Sequence, residues 1–412
     1  GDTSGTVTVT NNINLKGTSA QVAAAVDDVN TFSGSPTAQL SNAHTLAELV
    51  AINNAIDGTL TLNDYSVALS GSAADIKAAL AGTFDSTYTG NVTITDGNST
   101  NIAATDISTI DGDTNGTITI SNNVDINGTA AEIAAAVALV DTFSGTPTAE
   151  LSNAHTLAEL KAINNAISGT IALNNYAVNL SGSSSDVAAA LNGNFASTYT
   201  GDVSLSDNHT LAELKTINNG TTGQLTLNSY SVALSGATAD IKQALAGTLA
   251  STYTGNVTLS DANGTAIAAT DITTIDGDTN GTITVSNNIN MTGSAAEINA
   301  AVAVMDTILG APTATLNTAH TLAQLKSVNN AFSGTIALTD YTVALSGSSS
   351  DVAAALDGTL AAQYTGNVTL SDAHTLAQLK TINSQTSGTI TLADYSVALS
   401  GTSADVSAAL DG

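Results

Sequence analysis

The chain has no cysteine or tryptophan, its seven basic residues are all lysine, and aromatic residues make up only 3% of its 412 residues. Without cysteine it can form neither disulfides nor thiolate metal sites. Its 35 acidic residues give a net charge of −28. This charge argues against a nucleic-acid partner, because phosphate binding needs clustered basic residues. Since no run of about 18 apolar residues occurs, we also expect no membrane insertion.

Repetition is the main feature that the chain does have. Cutting it before each small residue that opens a threonine-rich stretch gives fifteen segments, with openings such as GTLTLN, GNVTLS and GTITLA. This alternation predicts strands with Val, Ile or Leu on one face and Thr or Ser on the other. A helix-like stretch then follows. Type-A segments (as at 201–222) go straight from strand to helix, type-B segments (as at 58–82) insert a second strand, and type-C segments occur only at 90–115 and 255–280.

The order of the segments predicts the architecture. Type B occupies every odd position, and neighbouring parallel strands lie about 4.8 Å apart, whereas helix axes need about 8–10 Å. Placing the helices of alternate coils on different sides reconciles the two spacings. We therefore predict an α/β fold, an elongated repeat solenoid of about fifteen strand-helix coils with parallel strands and alternating helix rows. Residues 1–412 would form one continuous repeat array, with super-repeats at approximately 5–115, 116–280 and 281–412; a hairpin across Asn63–Asp64 is the alternative.

One amphipathic phrase, HTLAELKTINN or a close copy, occurs five times. The copies begin at His44, His155, His209, His320 and His374. In each copy Thr is followed three residues later by Glu or Gln, which predicts a capping box at a helix start. Because successive histidines lie at least two coils apart, we interpret them as half-exposed residues packing beside the helix start and not as metal ligands. The nine tyrosines recur at fixed type-B positions and predict a packing ladder.

The sequence DGDTNG, at 111–116 and again at 276–281, carries the strongest chemical motif. It matches the opening of a calcium loop, in which oxygens at positions 1, 3 and 5 converge and Gly makes the turn. The candidate ligands are Asp111, Asp113, Asn115, Asp276, Asp278 and Asn280. Position 12 is Asn122 or Asn287 in place of the bidentate Glu. Calcium binding therefore competes with a second interpretation, a polar turn between coils.

Outward threonines form columns, for example Thr117 and Thr119, which Gln39 and Glu150 interrupt. Such an array could order water and bind ice, or it could serve only as a solvent-facing strand surface. Catalysis requires a unique constellation of nucleophile, base and orienting group. The histidines and tyrosines, and the aspartates of the motif, all have counterparts elsewhere in the chain, so we expect no enzymatic activity.

The phrases TLAELKTINN, SGTITLADYSVALSG and SSDVAAALDG resemble the repeat arrays of giant secreted surface proteins of aquatic bacteria, especially cyanobacteria. These are often described as hemolysin-type calcium-binding or β-strand-repeat proteins, and many are adhesin-like. The resemblance covers nearly the whole chain, although the nonapeptide G-G-x-G-x-D of RTX calcium solenoids is absent. It implies an extracellular or cell-surface structural protein, part of a fibre, filament, stalk or surface layer. The alternative is an adhesin or an ice- or glycan-binding module that uses the Thr-rich repeat face.

The two ends of the sequence fall inside recognisable repeats. Asp2–Gly5 resembles the tail of a type-C loop, and Asp411 stops where earlier type-B segments continue into a linker. Solenoid ends that lack polar caps expose apolar layers and unpaired strand edges. We therefore expect the ends to be covered by further repeats of the same chain or by other copies stacked end to end.

Overall fold

A computed structural model describes residues 4–411, so the first part of the predicted loop at Asp2–Gly5 lies outside the described residues. Within them the chain forms fifteen helices, one for each predicted segment, and each is eight to ten residues long. They are α1 (Ser19–Asp27), α2 (Leu46–Ala55), α3 (Ala73–Leu80), α4 (Ala104–Asp113), α5 (Ala130–Leu139), α6 (Leu157–Ala166), α7 (Ser184–Leu191), α8 (Leu211–Gly220), α9 (Thr238–Leu245), α10 (Ala269–Asp278), α11 (Ala295–Val304), α12 (Leu322–Ala331), α13 (Ser349–Leu356), α14 (Leu376–Gln385) and α15 (Ser403–Leu410).

Short strands of two to four residues precede the helices. They are β1 (Thr8–Val9), β2 (Asn14–Gly17), β3 (Thr31–Phe32), β4 (Thr37–Leu40), β5 (Leu60–Thr61), β6 (Leu69–Gly71), β7 (Val92–Ile94), β8 (Asn101–Ala103), β9 (Ile118–Ile120), β10 (Asp125–Gly128), β11 (Thr142–Phe143), β12 (Thr148–Leu151), β13 (Ile171–Ala172), β14 (Leu180–Gly182), β15 (Val203–Leu205), β16 (Leu225–Thr226), β17 (Leu234–Gly236), β18 (Val257–Leu259), β19 (Ala266–Ala268), β20 (Ile283–Val285), β21 (Asn290–Gly293), β22 (Thr307–Ile308), β23 (Thr313–Leu316), β24 (Ile336–Leu338), β25 (Leu345–Gly347), β26 (Val368–Leu370) and β27 (Ile390–Thr391).

The chain divides into two compact units. The first extends to Ser204 and includes Gly220–Gly223, and the second comprises Leu205–Asn219 and the described residues from Gln224 onward. The sheets of the first unit have the strand orders β1-β3, β2-β4-β5, β6-β7-β9-β11 and β8-β10-β12-β13. Those of the second have the orders β17-β18-β20-β22, β19-β21-β23-β24 and β25-β26-β27.

Strands of successive coils pair in parallel, which confirms the predicted α/β repeat with parallel strands. In the first unit Val92 lies in register with Ile118, and Ile102 with Ile126. The alternative hairpin across Asn63–Asp64 does not form, because β5 pairs with β4 while β6 pairs with β7 in another sheet. The inward Val, Ile and Leu of these strands are buried together with one stripe of each helix, such as Leu49 and Ile52 of α2.

The helices do not occupy the alternating rows that we predicted. From α1 to α7 and from α9 to α15, each helix packs against the next one along the chain. The reason is that helices and paired strands recur at different residue intervals along the chain. Helices α11, α12 and α13 begin 27 residues apart, at Ala295, Leu322 and Ser349. Paired strand residues in the same coils are only 23 and 22 residues apart, at Met291, Ala314 and Ile336. Each helix is therefore displaced along the coil relative to its predecessor, which provides the wider spacing that helices need.

Ser99 adopts a backbone conformation that suits glycine better. Its φ is 60°, and it is the only non-glycine residue among those described with a positive φ. The equivalent position in the second type-C coil is Gly264, with φ of 78°. Both residues donate their backbone N–H to the next coil, Ser99 to Asn123 and Gly264 to Asn288, at 2.7 Å.

We predict that Ser99→Gly stabilises the coil around it by about 0.5–1 kcal/mol, because glycine carries no Cβ penalty in the left-handed region. Gly264→Ser should cost a similar amount. Hydrogen exchange of the amides in β7–α4 and β18–α10 measures both changes. A loss of protection in Ser99→Gly would contradict the prediction.

Candidate functional site

The polar residues of the repeated phrase form the most regular chemical feature of the fold. The threonines form the predicted helix caps: Thr45, Thr156, Thr321 and Thr375 each accept from the backbone N–H three residues later, while the Glu or Gln at that position accepts from the threonine's own N–H. Where Asp replaces Glu in type-B helices, as at Ser72 and Asp75, only the first bond is present. The shorter aspartate side chain accounts for the missing half of the box.

The histidines are buried, which corrects the prediction that they are half-exposed. All five are 3–5% exposed. In four of them the imidazole Nε2 lies 3.0–3.1 Å from a tyrosine hydroxyl 44 residues later: His44 with Tyr88, His155 with Tyr199, His209 with Tyr253 and His320 with Tyr364. Each of these tyrosine hydroxyls donates to a backbone carbonyl at 2.5–2.6 Å, on Val67, Val178, Val232 and Val343 respectively. We call each His–Tyr–Val set a clasp.

The hydrogen bonds of a clasp fix the protonation of its histidine. A tyrosine hydroxyl has one proton, and in the clasp of His155 the hydroxyl of Tyr199 gives it to the Val178 carbonyl. The hydroxyl must therefore accept from His155, whose proton lies on Nε2. The Nδ1 of His155 is buried and has no hydrogen-bond partner among the described residues. Burial lowers the pKa of His155 and raises the pKa of Tyr199, so both are neutral at pH 7.

Lysines link six of the helices to the helix that follows. Six of the seven pair with aspartates: Lys77–Asp106, Lys161–Asp186, Lys215–Asp240, Lys242–Asp271, Lys326–Asp351 and Lys380–Asp405. The aspartate lies in the first turn of its helix, where the helix dipole also favours a negative charge. The lysine side chains are 34–48% exposed, so each pair alone contributes little to stability.

The first asparagine of the phrase's final pair satisfies the C-terminal end of the next helix. Asn164 donates its side-chain amide to the carbonyl of Ala189 at 2.7 Å, and the same bond recurs at Asn53, Asn218, Asn329 and Asn383. The Asn164 carboxamide also lies against Gly193, where a Cβ would overlap it. This contact explains why a glycine follows the helix at that point.

The N-terminal ends of helices are satisfied from the following coil. The first helical N–H of α5, on Ala130, donates to the side chain of Asn153 at 2.8 Å, and that of α13, on Ser349, donates to Asp372 at 2.6 Å. Sequence analysis missed these contacts, the ion pairs and the asparagine bonds. The repeated Lys and Asn at fixed positions in the phrase were the available signal.

We predict that Gly193→Ala lowers the stability of α7 by about 1–3 kcal/mol, because the new methyl group displaces Asn164 and leaves a helix carbonyl unpaired. In an Asn164→Ala background the same change should cost much less. Gly112→Ala is the control: it lies in α4 with no atom near the added Cβ and should be neutral or stabilising. Hydrogen exchange of α7 and α4 measures the changes, and equal costs of Gly193→Ala in both backgrounds would contradict the prediction.

The structure places the predicted calcium ligands partly on helices. Asp111 and Asp113 lie in the last turn of α4, and Asp276 and Asp278 in that of α10. Asn115 follows α4 and donates its N–H to the carbonyl of Tyr88; Asn280 makes the equivalent bond to Tyr253. Residues two apart on a helix point in different directions, so positions 1 and 3 of the motif do not converge as in a calcium loop. No group of three or more acidic or histidine ligands occurs among residues 4–411. Calcium binding here remains an untested prediction.

The aspartates at these helix ends provide a test of that prediction. Burial raises the pKa of Asp113, and a negative charge is unfavourable at a helix C-terminus. Asp113→Asn should therefore raise the melting temperature at pH 7 in EDTA. The gain should vanish as the pH falls below about 3.9, the usual pKa of aspartate, because the wild-type carboxyl is then neutral too.

Calcium binding predicts a further result that depends on the presence of the ion. Calcium would then raise the melting temperature of the wild-type protein, EDTA would lower it, and Asp113→Asn would weaken that response. Asp278→Asn, in the second type-C coil, is the matched replicate. A calcium titration that leaves wild-type melting unchanged would remove calcium from this site.

The outward threonines stand in register on two sheets. Thr93 pairs with Thr119, which pairs with Thr142 in the first unit. Thr258, Thr284 and Thr307 repeat this column in the second. On neighbouring sheets the outward positions are mixed, as where Asn127 pairs with Glu150. The threonine columns are therefore only a few strands wide.

Two surface grooves of about 790 and 670 Å³ recur at equivalent positions in the two units. Each lies between a type-A helix and the following type-B strand and helix, and its lining includes the Lys–Asp pair, Lys326–Asp351 in one and Lys161–Asp186 in the other. Over the described range, no helix combines the length and apolar character needed to cross a membrane.

A comparison of the chain with protein-family models and with curated proteins finds no match in either.

Proposed function

We propose that this chain is an extracellular structural repeat protein, part of a fibre, filament, stalk or surface layer. The observation that carries the proposal is the use of the repeated polar residues. The histidine, threonine, lysine and first asparagine of the phrase contact the same coil or the following one, as at His320, Lys326 and Asn329. Side chains used in this way hold a stack together and are not free to bind substrate, which also supports our expectation that the chain is not an enzyme.

The cellular location is tested on the source organism. Antibodies against this segment should label intact, unpermeabilised cells or material shed from them, and protease treatment of intact cells should remove the label. An antibody against a cytoplasmic protein is the control for lysis. Labelling only after permeabilisation would contradict an extracellular role.

We propose that further repeats of the same chain, or other copies of it, cover the end coils. The apolar residue at the end of α15, Leu410, is 60% exposed, whereas its counterparts Leu356 and Leu191 are 0% and 3% exposed.

Sedimentation of the isolated segment should show association that strengthens with concentration and that Leu410→Glu weakens. Leu309→Glu, at a position 49% exposed elsewhere in the chain, is the control. A segment that stays monomeric at high concentration would contradict association between copies, and the native chain's intact mass would then test for further repeats.

The threonine columns favour a second candidate, an adhesin or an ice- or glycan-binding module. Their register places hydroxyls at the strand spacing of about 4.8 Å. Thermal hysteresis or saturable binding on a glycan array would support this candidate, and it should be lost in a variant with Thr119→Val and Thr284→Val. Val preserves the strand shape and removes the hydroxyl. If neither activity is measurable, the structural role remains the favoured one.

A further inference from the structure

The clasps hold a titratable side chain in a site that has no place for a second proton. In the clasp of His155, Nε2 donates to Tyr199, and the tyrosine proton is already given to the carbonyl of Val178. Protonation would put an N–H on Nδ1, which is buried and has no acceptor among the described residues. A buried charge that lacks a partner is strongly unfavourable, so the charged imidazole is better accommodated outside the site.

We propose that the clasps are acid-sensitive contacts, which release the histidine segment of a type-A coil from the following type-B coil when the surroundings become mildly acidic. The contact joins residues 44 positions apart, so its release would loosen the packing between two coils. This inference goes beyond the proposed function and stands without it.

The sign of the effect follows from linkage between protonation and folding. Burial lowers the pKa of the clasp histidines His44, His155, His209 and His320 in the closed state. In the open state the pKa should lie near the ordinary value of about 6.5. The contribution of a clasp to stability is therefore fully present above pH 6.5. This contribution is lost as the pH falls from 6.5 toward the lowered pKa of the closed state. Over that range the equilibrium constant for opening rises by up to tenfold for each pH unit.

The charged groups beside the clasps differ from one clasp to another. His320 faces Asp340, whose negative charge opposes the lowering of its pKa. The equivalent position beside His155 is Asn175, and the charged group acting on that histidine is Glu159 of its own helix. Asn175 and Asp340 make the same local bond, each accepting the N–H two residues later. Exchanging Asn and Asp at these two positions therefore changes the charge beside a clasp and keeps the local bond.

Hydrogen exchange of the full chain, followed by mass spectrometry between pH 7.5 and 5.5, tests the proposal. Protection factors are corrected for the intrinsic pH dependence of exchange. The segments to follow are 153–166 with 197–203 for the first clasp, and 318–331 with 362–368 for the second. We expect protection of both clasps to fall over this range. Equal protection at pH 7.5 and 5.5 in both clasps would overturn the proposal.

Substitutions separate titration of the clasp from general acid sensitivity. His155→Gln keeps a neutral N–H donor and cannot titrate, so it should flatten the pH dependence of the first clasp and leave the second unchanged. Persistence of the wild-type slope at the first clasp would overturn the proposal. If His155→Gln fails to fold, two surface variants test the proposal instead. Asn175→Asp should reduce the acid sensitivity of the clasp of His155, and Asp340→Asn should increase that of the clasp of His320. Unchanged acid sensitivity in both variants would overturn the proposal.

Discussion

The rest of this structure depends on the contacts that stabilise its short helices. These contacts come from neighbouring coils. A helix of eight to ten residues is marginal in water, because its nucleation cost is spread over few hydrogen bonds and most of its backbone groups lie near an end. Here the ends are satisfied across coils. Asn153 accepts from the first N–H of one helix, and Asn164 donates to a carbonyl near the end of another. Each coil therefore supplies hydrogen-bond partners for the helix ends of an adjacent coil.

The second constraint is the difference between strand and helix spacing. Strands that hydrogen-bond directly cannot move apart, so the helices must accommodate the difference. A helix period longer than the strand period moves each helix along its coil, and consecutive helices remain in contact from α1 to α7 and from α9 to α15. Narrow sheets are a consequence: a strand ladder such as β19-β21-β23-β24 ends after a few coils, and β25 opens another in the same unit.

Local features could be predicted from the sequence, and contacts between coils could not. The strand alternation and the Thr–Glu caps depend on residues two or three positions apart, so the pattern alone predicts them. The burial of His155 depends on Tyr199, 44 residues away, and the Lys161–Asp186 pair joins two coils. Neither can be derived without knowing how coils superpose. The position of Asp111 on a helix has a local cause: Ile107 and Ile110 continue a buried helical stripe, and this stripe carries the aspartates into the helix.

The contacts between coils also bear on how such an array changes length over evolutionary time. His320 and His374 open two copies of the same phrase within the second unit, and each copy has the same type of neighbour after it. A gene duplication or deletion that joins one copy to the other in frame would leave each remaining lysine and asparagine of the phrase facing an equivalent partner. Repeat number could then drift through unequal recombination without any compensating substitution, and length would become a trait that selection can adjust in whole coils.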